Sequence, residues 1–312
     1  MMAAQAIPHL IDTLPPLRGR IQAEAVLGPM TWFRVGGPAE VLVRPADAED
    51  LATFLRALKL EVPVTVIGAA SNIIVRDGGI AGVVIRLARG FGDVTVETDG
   101  VVAGAAALDA VVAEHAAEAG LAGLEFLSGI PGAIGGAIAM NAGAYGSDVA
   151  TTLDWAEIVT RQGELLRLDV AELGFSYRHS ALPPESVVVR ARFRARAGDT
   201  AVIAAQMADI RASREATQPT RARTGGSTFR NPPEAKAWEL IDSTGCRGLT
   251  RGGAEISQKH CNFMLNTGGA TAADLEGLGE EVRRRVQAAT GITLEWEIKR
   301  IGVPAARPQV LP

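Results

Sequence analysis

Ser227 stands in "GGSTFRNPP", residues 225–233, where glycines and prolines bracket one hydroxyl, one guanidinium and one amide. Such a stretch is neither a long helix nor a central strand. Its hydroxyl is open to two readings: a turn residue capping its own backbone, or a group held out for chemistry. Two further stretches have the composition of ligand loops. "VIGAASNIIVRDGG" puts a small-residue turn directly after an apolar strand, with Gly68, Ala69, Ala70, Ser71, Asn72 and Ile73 at the turn. Successive N–H groups in such a turn can point at an anion, and Ser71 and Asn72 add polar side chains. "SGIPGAIGGAIAMNAGAYG" carries Ser128, Gly129, Pro131, Gly132, Gly135, Gly136, Ala137, Asn141, Gly143, Ala144 and Tyr145, with Pro131 where a helix could begin. Two such loops suit a ligand with a pyrophosphate. The competing reading is close packing of small residues. Neither GxGxxG nor a GK dipeptide occurs, which disfavours a standard dinucleotide fold and a P-loop.

The elements that must position these residues follow from periodicity. "AEVLVRP" and "VPVTVIG" read as strands, with a helix between them that buries Leu51, Phe54, Leu55 and Leu58 and starts at an Asp47 cap. "LDAVVAEHAAEAG" is a helix closed by Gly120, and "AEIVTRQGELLRLD" a hairpin turning at Gln162–Gly163. "DTAVIAAQMADIRASREAT" is a helix stopped by Pro219. A later helix has Thr271 as its cap and Leu275, Leu278, Val282 and Val286 inward. "ITLEWEIKRIG" is expected to close the fold as a strand with Glu295 and Glu297 on one face. The division expected is 1–199, 200–298 and a returning end, 299–312.

The 312 residues carry a formal charge of −4, with 47% hydrophobic and 21% charged residues, so a globular protein without a basic nucleic-acid footprint is expected. Cys246 and Cys261 form no metal spacing, no metal is expected, and the start has no signal-peptide pattern. No apolar window is long enough to span a membrane. A cytoplasmic monomer is the expectation.

Ordered blocks from "TWFRVGGPAE" through both glycine loops, "YRHS", "GGSTFRNP", "AWELIDSTGCRG" and "HCNFMLN" to "LEWEIKRIG" bring a family into view. The chain resembles the UDP-N-acetylenolpyruvoylglucosamine reductase family, FAD enzymes of peptidoglycan precursor synthesis, in its compact subtype without a tyrosine loop. The resemblance implies an α+β fold: a vanillyl-alcohol-oxidase-type FAD-binding domain of two subdomains and a smaller α+β substrate domain. It implies FAD, held by the two loops, and NADPH as reductant. No His or Cys sits in either loop, so covalent attachment is not suggested. It implies Ser227 as proton donor, with Arg178 and Glu297 stabilising an enolate. A protonated Glu297 would need a raised pKa. One departure stands out. The family's first loop usually reads GxGSN, and here Ala70 replaces the second glycine, at a cost if the position needs a positive φ.

The implied substrate carries a nucleotide diphosphate. Between Arg211 and Arg230 lie five arginines and one acid, Glu215. Arg214 and Asn231 are expected to hold substrate, and Lys259 and His260 are further candidates. For each, a solvated surface residue is the competing reading. The rival activities are an oxidase of the same flavin superfamily and a flavin-binding protein without turnover.

Overall fold

The structure, a computed structural model, describes residues 9–306. Its first sheet orders the strands Arg20–Val26, Pro38–Arg44, Ile80–Ile85 and Val64–Val66. The first pair is antiparallel and the other two pairings are parallel. Helix Ala48–Ala57 covers the sheet with Leu51, Phe54 and Leu55 fully buried. Asp47 caps it, accepting from the N–H of Asp50 at 2.9 Å. The Asp50 carboxylate in turn accepts from the backbone N–H groups of Arg18, Gly19 and Ala46, which ties the entering chain to the helix.

The second sheet is antiparallel and orders Leu165–Asp169, Leu153–Val159, Val187–Arg194, Gly100–Gly104 and Val94–Glu97. Its hairpin turns at Gly163, whose φ of 75° suits a glycine. Helices Asp109–Glu118 and Thr200–Thr217 bury Val112, Ala116, Ile203 and Met207 in one core with Val101, Ala191 and Phe193. Helix Thr200–Thr217 therefore shares the core of the unit that precedes it. A division by core falls near residue 217, later than the expected 199, because Ile203 and Met207 find their apolar partners in the earlier unit.

The last unit packs helices Ala237–Ser243 and Ala272–Thr290 on a small sheet of Thr250–Arg251, Ala254–Ile256 and Met264–Asn266. Thr271 and Asp274 form a reciprocal capping box, and Leu275, Leu278, Val282 and Val286 are buried as their spacing predicts. The chain end returns to the first unit: strand Lys299–Ile301 runs parallel to Ile73–Val75, which leaves the first glycine-rich loop. This strand is much shorter than expected. Before it, Trp296 makes only an isolated bridge to Phe229. Glu295 is exposed while Glu297 turns inward, so the two glutamates do not share a strand face.

Candidate active site

The loop after strand Val64–Val66 is an open backbone cradle. Among the described residues, none of the N–H groups from Gly68 to Asn72 has a protein acceptor. Ala70 has φ of 54°, in the left-handed region, so the departure noted in the sequence falls where glycine would be the unstrained residue. The Asn72 side chain donates to the carbonyl of Glu297 at 3.3 Å, while the Asn72 carbonyl accepts from the N–H of Lys299 at 3.1 Å. The cofactor loop is thereby bolted to the segment that carries Glu297.

The second loop packs against the first. Helix Ile134–Ala139 begins after Ala133, close to where Pro131 placed it. Gly129 lies under the Tyr145 ring: a Cβ there would approach Cε2 to 2.7 Å. Tyr145 and Asn141 both have positive φ, 53° and 41°. Asn141 is 5% exposed and its amide is spent on protein groups, accepting from Ala150 N–H at 2.9 Å and donating to the Ser176 carbonyl at 3.1 Å. These bonds hold the loop in place. Ser128 likewise donates to the Glu125 carbonyl at 2.7 Å, though it lines the larger cavity.

Two cavities of about 310 and 1380 Å3 share Trp32, Ala69, Arg214 and Lys299 in their walls and so form one cleft. The smaller is lined by the first loop from Gly68 to Ile73 and by Gly129, Pro131, Gly132, Gly136, Ala137, Gly143 and Ala144. Gly135 lines the larger. At Gly68 and Gly136 a Cβ would meet nothing within 4 Å, so both turn bare backbone to open space. An extended anionic cofactor fits this wall: unpaired N–H donors and side-chain-free backbone along a long cleft.

The smaller cavity also brings three distant segments together. Ser227, Arg178 and Glu297 all line the smaller cavity. Residues 227–229 run between two neighbours: Ser227 bridges Phe263, the N–H of Thr228 donates to the Asn262 carbonyl at 2.7 Å, and the N–H of Glu297 donates to the Thr228 carbonyl at 2.8 Å. The backbone is therefore fixed, yet the Ser227 hydroxyl has no protein partner among the described residues. A backbone-capping role is ruled out in this geometry. The two glycines before it have separate reasons. A Cβ on Gly225 would run into the Phe33 ring, and Gly226 needs φ of 79°.

Arg178 sits in a tight turn closed by reciprocal bonds between Ser176 and His179, at φ of 56°. Its Nε donates to Glu297 Oε1 at 3.1 Å and an Nη donates to the Gly143 carbonyl at 2.9 Å. Burial pushes the Glu297 carboxyl up from its ordinary range, while the guanidinium groups of Arg178 and Arg230 pull it back by less. The pair can thus offer hydrogen bonds and positive charge to an anion growing in the cavity.

Of the expected substrate residues, Arg214 lines both cavities, and burial lowers its pKa. The others lie outside the walls. Asn231 accepts from the N–H of Ala237 at the start of helix Ala237–Ser243. Lys259 donates to the Glu215 carbonyl. His260 packs edge-on against Phe263 and Trp238, and burial lowers its pKa. A polar residue in a recognised block is also wanted for capping and packing, and these three are used that way here. Sequence reasoning missed Trp32, Asp109 and Lys299. For Lys299 a signal existed: it stands two residues beyond Glu297.

An FAD-binding domain model matches residues 39–169, which holds both loops, and the model of the UDP-N-acetylenolpyruvoylglucosamine reductase C-terminal domain matches 218–301. The chain is 66% identical to the UDP-N-acetylenolpyruvoylglucosamine reductase of Acidiphilium cryptum over 97% of its own length and 98% of the relative's. It is 64% identical to that of Granulibacter bethesdensis over 99% of both. Among solved structures it is similar to the reductase of Thermus caldophilus, with 37% identity, TM-score 0.79 and coverage of 92% of this chain and 100% of that one. The 6-hydroxy-D-nicotine oxidase of Arthrobacter nicotinovorans shares the fold, with 12% identity, TM-score 0.56 and coverage of 91% and 89%. The fold is accordingly the α+β, vanillyl-alcohol-oxidase-type arrangement expected. Full-length identity at this level settles the assignment: the chain belongs to the UDP-N-acetylenolpyruvoylglucosamine reductase family and is an FAD-dependent oxidoreductase.

Proposed function

We propose that this enzyme reduces UDP-N-acetylglucosamine enolpyruvate to UDP-N-acetylmuramate with NADPH, and that Ser227 delivers the proton. The observation that carries the reading is the unpartnered Ser227 hydroxyl on the same cavity wall as the Arg178–Glu297 pair. FAD, which the two glycine-rich loops would hold, would supply the two-electron chemistry by which hydride passes from NADPH to one carbon of the enol ether. Negative charge then develops on the adjacent carbon and its carboxylate. Arg178, already oriented by Glu297 and Gly143, presents its planar fork to that charge. Glu297 in its protonated form donates to the enolate oxygen, and burial favours that form. Serine is a very weak acid, so only a strongly basic carbon takes its proton. The Ser227 hydroxyl suits that step because no protein acceptor competes for it.

Arg214, which lines both cavities, would bind a phosphate of the sugar nucleotide. Asn231, Lys259 and His260 have no part in this reading. Among the described residues no Cys or His lines either cavity, which supports non-covalent FAD. Both substrates are cytosolic metabolites by class, so the cytoplasm is the proposed location. The assay is direct: purified protein oxidises NADPH only when the enolpyruvyl sugar nucleotide is added. Rapid NADPH oxidation with oxygen alone would instead identify an oxidase, and bound flavin without turnover would identify a binding protein.

A further inference from the structure

Asp109 opens helix Asp109–Glu118 directly behind the two glycine-rich loops. It is 0% exposed, and neither carboxyl oxygen has a hydrogen-bond partner. A buried carboxyl left unpaired is costly, so its persistence asks for an occupant that completes it. It lines the smaller cavity together with Ser71 and Gly132. Its position explains Gly132: a Cβ there would approach Asp109 Oδ2 to 2.7 Å and Ser71 Oγ to 3.8 Å. The carboxyl therefore fills the notch that the missing side chain leaves between the loops. The faces packed on it present Ser71, Gly132 and Ala133. The charged groups elsewhere in the cavity wall are Arg178, Arg214, Glu297 and Lys299, and none of them pairs with it.

The loops around this notch are built for an anion, with unpaired N–H groups from Gly68 to Asn72. An ionised carboxylate beside a diphosphate would put like charges together without screening. A carboxylic acid would instead add one more donor. We propose that Asp109 is a cofactor-binding residue that stays neutral and donates a hydrogen bond to a diphosphate oxygen of FAD. Two features agree with that assignment. Burial drives the Asp109 carboxyl well above the ordinary aspartate range, with no neighbouring cation to oppose it. The other donors around the notch are backbone N–H groups and the Ser71 hydroxyl, and a neutral acid adds a further side-chain donor without adding charge. The inference rests on FAD binding, which the family assignment establishes, and not on the proposed proton donor.

The test uses flavin-stripped protein and FAD, with affinity read from flavin fluorescence from pH 6 up to the highest pH at which the protein stays folded. For the wild type, affinity falls as pH rises through the value at which Asp109 ionises, and the phosphorus resonances of bound FAD move with it. Asp109→Asn keeps a donor of the same size, so it binds FAD within a few-fold of wild type at pH 6 and loses the pH dependence. Asp109→Leu weakens FAD binding by about tenfold or more, the usual worth of a hydrogen bond to a charged group. Binding of UDP to the flavin-loaded wild type and Asn variant stays equal. Three results would overturn the proposal: wild-type affinity that is flat or rises with pH, a folded Leu variant that binds FAD as tightly as wild type, or loss of UDP binding in place of FAD binding. If the Leu variant does not fold, the pH profiles of wild type and Asn decide alone.

Discussion

The two walls of the cleft are made differently. The cofactor wall is backbone: bare N–H groups and side-chain-free positions at Gly68, Gly132 and Gly136, drawn from two continuous stretches of chain. The wall proposed for the reaction is side chain: Arg178, Ser227 and Glu297, which come from three stretches far apart in sequence. The difference reflects what each must do. A bound cofactor needs many weak, fixed donors along its length. A reacting carbon needs a few strong groups at one point, each held by its own neighbours. Both walls carry backbone strain. Ala70, Asn141, Tyr145 and Arg178 all have positive φ without being glycine, and all lie on or behind the two walls.

Substitutions on the two walls should therefore fail differently. The largest effect belongs to the reaction wall. Ser227→Ala is expected to lower kcat by about 10²–10⁴-fold, the worth of a general acid, with FAD content unchanged. Arg178→Lys keeps the charge but loses the fork that reaches both Glu297 and Gly143, and should cost about 10²–10³-fold in kcat. Steady-state kinetics beside a flavin absorption spectrum checks both, and loss of flavin in either variant would break the contrast between the walls.

Smaller effects fall on the scaffold. Gly225→Ala pushes a methyl group into the buried Phe33 ring and should destabilise the protein by roughly 1–3 kcal/mol in thermal or urea denaturation. Ala70→Gly works the other way. It relieves a left-handed alanine and should gain about 1 kcal/mol, less the entropy that glycine adds to the unfolded chain. A tighter first loop would show as FAD affinity equal to or better than wild type, with kcat unmoved.

The same contrast decides how much was legible in the sequence. The cofactor wall is local, so its turn after a strand and its Gly- and Ala-rich second loop could be read as an anion site from residues alone. The caps at Asp47 and Thr271 and the helix faces were legible for the same reason, since periodicity and capping act over a few residues. The reaction wall is not local. By its local sequence Ser227 reads first as a turn residue, and only the matched blocks turn the reading toward a proton donor. Those blocks name polar residues without showing which way they point. Asn141 and Asn231 are spent on backbone groups, and Lys259 on a carbonyl. Asp109 was missed because an aspartate opening a helix is ordinary, and its burial becomes visible only when the loops fold over it. The boundary read at 199 differs from a division by core for a similar reason. A helix pattern shows which residues turn inward but not which core receives them.

The central claim is that the Ser227 hydroxyl serves the substrate step alone. The two half-reactions can be separated by stopped flow on the Ser227→Ala variant. NADPH should bleach the bound flavin at the wild-type rate, and the return of flavin absorbance on adding the enolpyruvyl sugar nucleotide should slow by about 10²–10⁴-fold. A variant that slows both half-reactions alike, or neither, would contradict the assignment of Ser227 as the proton donor.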